Sequence, residues 1–154
     1  MFSNFNERCG RETAHHCCCE ADWRSSSFVT TVEMERVIDD VLQLLETAGF
    51  SDRERFAVRL ALEEAVMNAI RHGHHYDRNK HVHVRYHVTQ ECLLAEVEDE
   101  GPGFNPAAVP DPREPENLER ESGRGLLLMR SYMTWVCYNE RGTCVTMCKS
   151  HGAA

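Results

Sequence analysis

Apolar residues recur at helical spacing in two long stretches of the first half of the chain. Over residues 34–48 they return every three or four positions, which predicts an amphipathic helix, and Gly49 supplies its C-cap. Ser51 is followed three residues later by Glu54, a capping-box pattern that starts a second helix. This second helix ends near Gly73 and is apolar on most of its circumference, so we expect it to be buried in the core.

Strand-forming residues and alternating polarity predict five strands around these helices. Residues 23–32 are rich in strand formers, and residues 80–88 alternate, with the apolar side chains on one face. The opposite face of 80–88 carries His81, His83 and His87, which could bind a metal, although a solvated strand surface is the favoured interpretation. The remaining strands are expected at 92–99, near 135–139 and near 143–149.

The buried helix carries two polar residues one turn apart, Glu64 and Asn68, which therefore lie on one face. Glu63 and Arg59 point away from that face, toward solvent. A buried carboxylate is costly unless it is paired or bound to a metal, so this polar stripe requires a partner. On the helix alone, the favoured interpretation is an ordinary surface glutamate beside a hydrogen-bonded core amide.

Asp99 ends a strand whose alternation places it on the same face as Ala95 and Val97. Because its position in the alternation is that of buried side chains, we expect the Asp99 carboxylate to bind a partner group. Gly101 and Gly103 follow directly, and they allow the backbone to turn sharply and to approach a ligand closely.

A segment without periodicity, residues 105–122, is rich in proline and charge, which is typical of a functional lid or a disordered loop. It leads to Gly123, Arg124 and Gly125 at the start of a short apolar helix near 126–133. A glycine-rich entry to a helix is a natural phosphate site, because free N–H groups and the helix dipole attract anions. Alone, this motif is weak evidence.

The bulk composition limits the class of protein. The chain has 154 residues, of which 42% are hydrophobic, and a net charge of −8, as expected of one globular domain. The acidic balance argues against a general nucleic-acid binder. No apolar run approaches the length of a membrane span and no secretory signal is found, so we expect a cytoplasmic protein that binds no membrane.

The eight cysteines include no pair with C-x-x-C spacing. Without an export signal, a disulfide framework is therefore not expected, and the cysteines point to a reducing compartment. We divide the chain into a flexible Cys/His-rich tail, residues 1–22, and one domain, residues 23–150. The tail resembles a metal-binding tract in composition only, and a poorly ordered terminus is the favoured interpretation.

Three motifs stand in a specific order along the chain: Glu64-x-x-x-Asn68 on a buried helix, Asp99-x-Gly101-x-Gly103 after a strand, and Gly123-x-Gly125 before a helix. Their order, spacing and structural context resemble the GHKL (Bergerat-fold) ATPase family. More narrowly, the chain resembles the anti-sigma-factor serine/threonine kinases of bacterial partner-switching systems. The resemblance covers about residues 24–149 and is closest over residues 64–73.

The resemblance implies an α+β two-layer sandwich, the histidine-kinase-like ATPase fold, with a mixed, mostly antiparallel sheet and helices on one face. It also implies ATP and Mg²⁺ as cofactors. Asn68 would bind Mg²⁺ through its amide oxygen, Asp99 would accept a hydrogen bond from the adenine amino group, and Glu64 would be the general base. The remaining nucleotide contacts would come from Gly101, Gly103, Gly123, Arg124 and Gly125.

The function that the resemblance implies is that of an ATP-dependent serine kinase and anti-sigma factor. Such a protein binds a sigma factor and phosphorylates a serine on an anti-sigma-factor antagonist; a homodimer and no direct contact with nucleic acid are also implied. The main alternative is a nucleotide-sensing regulatory module of the same fold without kinase activity. A fragment of a histidine kinase and a metal-binding regulator built on the tail are weaker alternatives.

Overall fold

The computed structural model describes residues 23–75, 77–103 and 124–152. The tail, the predicted lid and Gly123 lie outside the described residues. The elements, in chain order, are β1 (Arg24–Phe28), α1 (Thr31–Thr47), α2 (Asp52–Asn68), a π-helical turn (Ala69–Gly73), β2 (Val82–Val88), β3 (Cys92–Glu98), α3 (Arg124–Tyr132), β4 (Trp135–Tyr138) and β5 (Cys144–Ser150).

The strands form one sheet in the order β1-β2-β3-β5-β4, which leaves β1 and β4 at its edges. Each pairing between the described strands is antiparallel. The helices pack on one face of this sheet, so the predicted α+β two-layer sandwich is confirmed. The sequence leaves room for a mixed sheet, and the described strands pair only in the antiparallel sense.

Capping boxes start both long helices. The predicted box at Ser51 and Glu54 is confirmed, and a second one, at Thr30 and Glu33, starts α1. In each box the hydroxyl accepts a hydrogen bond from the third helical N–H, while the glutamate accepts one from the capping residue's N–H. These bonds satisfy N–H groups that have no partner inside the helix.

The core lies between the helices and the inward face of the sheet. Its side chains occupy the alternate strand positions and the helical three- and four-residue repeats that the sequence predicts. Burying one such aliphatic side chain stabilises the fold by about 1.5–3 kcal/mol. The most completely buried ones include Phe28, Ile38, Val41, Leu45, Val58, Leu62, Val82, Leu93 and Met147.

The outward face of the sheet is less solvated than its polar sequence predicts. His87 is 8% exposed and stacks on Trp23 with ring centroids 5.7 Å apart. Glu96 is 2% exposed, and its Oε2 accepts a hydrogen bond of 3.2 Å from Nε of Arg85. The Arg85 guanidinium also lies over the Trp23 ring. The prediction of a solvated strand surface is therefore wrong at His87, because an aromatic ring and an ion pair cover this part of the sheet.

Three cysteines of the described residues, Cys92, Cys144 and Cys148, form no disulfide bond. Cys137 is disulfide-bonded, so the expectation of reduced cysteines is wrong at this position. Within the described ranges, no helix has the length and apolarity required to cross a membrane.

Glu54 ties the start of α2 to the end of the described chain. Its Oε2 accepts a hydrogen bond of 2.7 Å from the Ser51 N–H, and its Oε1 accepts one of 2.5 Å from the Gly152 N–H. Burial opposes ionisation of this carboxyl, but the hydrogen bonds from Ser51 and Gly152 outweigh it and lower the pKa of Glu54.

We expect Glu54→Gln to lower the free energy of unfolding by about 1–2 kcal/mol at pH 7, because an amide oxygen accepts more weakly than a carboxylate. Since the folded-state pKa of Glu54 lies below its usual 4.5, its contribution is present above that value and is lost as the pH falls through the folded pKa. Denaturant titration at pH 7 and pH 3 measures both effects. Glu63→Gln, on the outer surface of α2, is the control; an equal loss in both variants would contradict the assignment.

Candidate functional site

The start of α3 lies against the polar stripe of α2. A Cβ added at Gly125 would lie 2.7 Å from Oε2 of Glu64 and 3.0 Å from Nδ2 of Asn68. Gly125 therefore brings the backbone of the first turn of α3 directly to these two side chains, a distance that a larger residue would not allow. Both side chains are half-buried, and no described residue forms a hydrogen bond or ion pair with the Glu64 carboxylate.

A π-helical turn follows Asn68 at the end of α2. The His74 N–H donates to the carbonyl oxygen of Ala69 over 2.9 Å, which closes the wider turn. Turns of this kind are rare and often occur at functional sites. Here the turn carries the backbone of Gly73 to the Asp99 carboxyl, where an added Cβ would lie 2.5 Å from Cγ of Asp99.

The Asp99 carboxyl is enclosed by glycine backbone. Its Oδ1 accepts a hydrogen bond of 2.8 Å from the Gly101 N–H, and the Asp99 N–H donates to the Thr143 carbonyl oxygen over 2.9 Å. A Cβ on Gly101 would collide with the carbonyl oxygen of Gly73. Burial raises the pKa of Asp99, although the Gly101 N–H and His74 act in the opposite direction. A carboxylate in this setting gains from a ligand that donates a hydrogen bond.

His74 supports the turn that carries Asp99. Its side chain is 3% exposed, and its Nε2 accepts a hydrogen bond of 2.8 Å from the Glu100 N–H. Accepting at Nε2 requires the neutral ring. Burial lowers the pKa of His74, although the charges of Asp99 and Glu100 oppose this shift. The imidazole thus acts here as a hydrogen-bond acceptor for the backbone.

The turn between β4 and β5 forms another side of the site. Gly103 has φ of +82°, a conformation that favours glycine, and a Cβ there would meet the carbonyl oxygen of Arg141 and the Thr143 methyl group. Oδ1 of Asn139 accepts hydrogen bonds of 2.8 Å from the Thr143 N–H and 3.1 Å from the Cys144 N–H. These bonds hold Thr143 beneath Asp99.

Tyr138, the last residue of β4, adds a hydroxyl to the site. It is partly buried against the core, and both Asn68 and Asp99 are near enough to affect its pKa. Burial and the charge of Asp99 raise the pKa of Tyr138 to about 12, against the effects of Arg130 and of Asn68. The phenol therefore remains protonated at physiological pH.

The structure brings together most of the residues that the sequence singles out. Arg124 begins α3 with its side chain exposed, and Gly123 lies outside the described residues. Four further residues, which the sequence does not single out, complete the site: Gly73, His74, Tyr138 and Thr143.

One of the missed residues had a usable signal. Tyr138 has the parity of Val136 in β4, and both side chains pack against the core. Gly73 was interpreted only as the end of a helix, and nothing local indicates the contacts of His74 or Thr143.

The donors and acceptors of the site suit a nucleotide with a divalent cation. Among residues 23–75, 77–103 and 124–152, no group of three or more His, Cys, Asp or Glu side chains could hold a metal by itself. Mg²⁺ needs no such cage, because it usually takes one or two protein oxygens together with waters and phosphate oxygens. The Asn68 amide carries an oxygen of the kind that Mg²⁺ accepts, and Gly125 brings the N-terminus of α3, where backbone N–H groups favour anions, next to it.

The fold and the site together define an ATPase domain of the histidine-kinase type. The chain belongs to the family described as histidine kinase-like ATPase domain, which matches residues 29–149. The resemblance to the GHKL family is thereby confirmed.

Two relatives point to a narrower group. The chain is 31% identical over 108 residues to the serine-protein kinase RsbW of Bacillus subtilis. The aligned region covers 66% of this chain and 68% of the relative. It is 29% identical over 112 residues to the serine-protein kinase RsbW of Listeria innocua. This aligned region covers 66% of this chain and 69% of the relative.

We expect Asp99→Asn to lower the affinity for ATP by at least about tenfold, since a hydrogen bond to a charged group contributes roughly 1.5–3 kcal/mol. The free protein should be at least as stable as the wild type at pH 7, because Asn keeps an oxygen for the Gly101 N–H and removes a desolvated charge. Because folding raises the pKa of Asp99, the protonated carboxyl stabilises the folded wild type below pH 3.8. This stabilisation is lost as the pH rises through the folded pKa. Calorimetry measures the affinity for ATP, and thermal melts measure the stability of the free protein. A variant less stable than the wild type at pH 7 would contradict the desolvation of Asp99.

Proposed function

We propose that the protein is an ATP-dependent serine kinase and anti-sigma factor, which binds a sigma factor and phosphorylates an anti-sigma-factor antagonist. The observation that carries the proposal is the position of Glu64. Its half-buried carboxylate, which forms no hydrogen bond or ion pair with a described residue, lies one helical turn from Asn68 and against the first turn of α3. The names of the two relatives, both serine-protein kinases, support the same activity.

The donors and acceptors of the site support the proposed binding of ATP. Asp99 accepts a hydrogen bond from the adenine amino group, and the backbones of Gly101 and Gly103 allow the base to approach closely. The N–H groups at the start of α3, including that of Gly125, face the phosphates. The Asn68 amide oxygen would hold a Mg²⁺ ion, which would supply positive charge against that of the phosphates.

Phosphoryl transfer from ATP to serine requires a base that accepts the proton of the serine hydroxyl. Glu64 accepts the serine proton at its carboxylate as the serine oxygen bonds to the γ-phosphorus and the bond to the β,γ-bridging oxygen breaks, which releases ADP. Phosphoryl transfer depends mainly on positioning and charge stabilisation, so a carboxylate held close to the phosphates is sufficient protein chemistry.

We expect Glu64→Gln to reduce serine phosphorylation by about 10²–10⁴-fold, the usual contribution of a general base, with the Kd for Mg²⁺–ATP changed by less than about twofold. The assay uses γ-labelled ATP, the purified protein and a dialysed extract of the source organism, followed by phosphoamino-acid analysis of the labelled band. Glu63→Gln, one residue away on the outer surface, is the matched control and should phosphorylate normally.

Two results would contradict the kinase proposal. Loss of ATP binding in Glu64→Gln would assign the carboxylate to the nucleotide pocket, and tight ATP binding without any serine phosphorylation would favour the nucleotide-sensing module.

The proposed partners are a sigma factor and its antagonist. Because sigma factors act in the cytoplasm, the proposal also implies a cytoplasmic protein. A homodimer is proposed through the outward face of the sheet, where half-buried Trp23 and Trp135 surround the small apolar cluster of Leu94 and Cys148. Aromatic residues of this kind are enriched at protein interfaces.

We expect light scattering to give twice the mass of one chain, and a stable complex when a purified cognate sigma factor is added with ATP. Trp135→Ser should reduce the mass to that of a monomer, because it removes an aromatic side chain from the centre of the proposed interface. Phe56→Ser, on the opposite, helical side of the molecule, is the control, since Phe56 is 57% exposed. A monomeric wild type would overturn the dimer, and failure to bind any sigma factor of the source organism would overturn the partner assignment.

A further inference from the structure

The turn that follows β3 is held by three consecutive backbone N–H groups, and each of them donates to an acceptor of a different kind. The Asp99 N–H donates to the carbonyl oxygen of Thr143 over 2.9 Å. The Gly101 N–H donates to Oδ1 of Asp99 over 2.8 Å. Between them, the Glu100 N–H donates to Nε2 of His74 over 2.8 Å. A carbonyl and a carboxyl keep an accepting oxygen in acid, whereas the imidazole nitrogen ceases to accept once it is protonated.

The backbone of His74 is fixed on both sides. Its N–H donates to the carbonyl oxygen of Ala69 over 2.9 Å, and its own carbonyl oxygen accepts from the Asp77 N–H over 3.0 Å. His75, which follows, has φ of +51°, a left-handed conformation that a residue other than glycine seldom adopts. The His74 side chain is buried, so the ring has little room to move away from the Glu100 N–H. The ring is therefore held by backbone contacts that do not depend on its own charge.

Charged groups on two segments face the His74 ring. Asp99 and Glu100 lie on the turn after β3, and Asp77 and Lys80 lie on the segment before β2. Burial has the largest effect and lowers the pKa of His74 below its usual 6.5; the three carboxylates oppose this shift, and Lys80 adds to it. The neutral ring, which accepts the hydrogen bond, is thus the form present at physiological pH.

A protonated ring would act on the Asp99 pocket in two ways. Its Nε2 would carry a proton and face the Glu100 N–H, so two donors would meet where a hydrogen bond had been. The new positive charge would also attract the Asp99 carboxylate, which is the proposed acceptor for the adenine amino group. Both effects weaken the binding of a base that donates a hydrogen bond to Asp99.

We propose that His74 is a positioning residue for the nucleotide base: its neutral ring holds the Asp99 turn in the binding conformation, and protonation of the ring lowers the affinity for ATP. This inference rests on the proposed ATP-binding function and adds to it a dependence on pH. Only the molecules with a neutral His74 bind with full affinity, so the apparent Kd rises as their fraction falls. Affinity is therefore highest above the pKa of His74 and is lost as the pH falls through it.

The test is the Kd for ATP in excess Mg²⁺, measured by calorimetry from about pH 8 to about pH 5 on wild type and His74→Gln. The glutamine oxygen lies as many bonds from the backbone as Nε2 and accepts a hydrogen bond without titrating. We expect the wild-type Kd to rise about fivefold to tenfold more than that of His74→Gln across this range, as for one lost hydrogen bond. Ionisation of ATP and of Asp99 is common to both proteins, so the difference between them reports on His74.

Two further variants separate titration from packing. His74→Leu has no acceptor at any pH, so its Kd should already be raised about fivefold to tenfold at the upper pH limit, where wild type and His74→Gln agree within about twofold. His83→Gln is the matched control, because the His83 ring lies 4.0 Å from the Glu100 carboxylate and not at its N–H. This variant should keep the pH dependence of the wild type. Circular dichroism at each pH establishes that every variant is folded.

The outcomes distinguish this inference from the function on which it rests. Equal pH profiles in wild type and His74→Gln, or loss of the pH dependence in His83→Gln, would overturn the role of His74 and leave the proposed function intact. A folded His74→Gln variant that binds ATP weakly at every pH would show that the ring acts through packing, and this result would overturn the inference as well. A folded wild type that binds no ATP at any pH would overturn the proposed function and this inference with it.

Discussion

The close contact between the backbones of Gly101 and Gly73 is the constraint on which the rest of the site depends. It is possible only because neither residue has a side chain, and it encloses the carboxyl of Asp99 between two turns of backbone. The enclosure removes water from a charged group, which is unfavourable until a donor arrives. The free protein therefore carries a partly desolvated carboxylate that accepts a hydrogen bond from the Gly101 N–H. A ligand that donates a further hydrogen bond would offset the cost of desolvation, so this backbone contact favours a hydrogen-bond donor.

The π-helical turn links that carboxyl to the polar stripe of α2. Asn68 precedes the turn and Gly73 ends it, so the proposed metal ligand and the wall of the Asp99 pocket lie five positions apart in continuous helix. Tyr138 lies on the sheet side of the same segment, where both Asn68 and Asp99 affect its pKa. A ligand that contacts both Asn68 and the Asp99 pocket would thus be bound at the two ends of one short helical segment.

Two glutamates of α2 show how environment assigns a role to one residue type. Glu54 is buried at the start of the helix, and backbone N–H groups from Ser51 and Gly152 occupy its oxygens, so it stabilises the fold. Glu64 lies three turns further on, half-buried and unpaired by the described residues, against the backbone of α3. A carboxylate whose hydrogen bonds are already made cannot readily accept a proton, whereas an unpaired one can.

The sequence by itself determined the number and order of the α-helices and strands, the capping box at Ser51, the shared face of Glu64 and Asn68 and the inward parity of Asp99. All of these depend on residue spacing along one element, which the helical and strand periods dictate. Only the tertiary structure decided that Gly125 meets Glu64, that Gly101 crosses Gly73, and that Glu96 and His87 are covered. These contacts join segments far apart in the chain, and they depend on sheet order and backbone approach, which local periodicity does not encode.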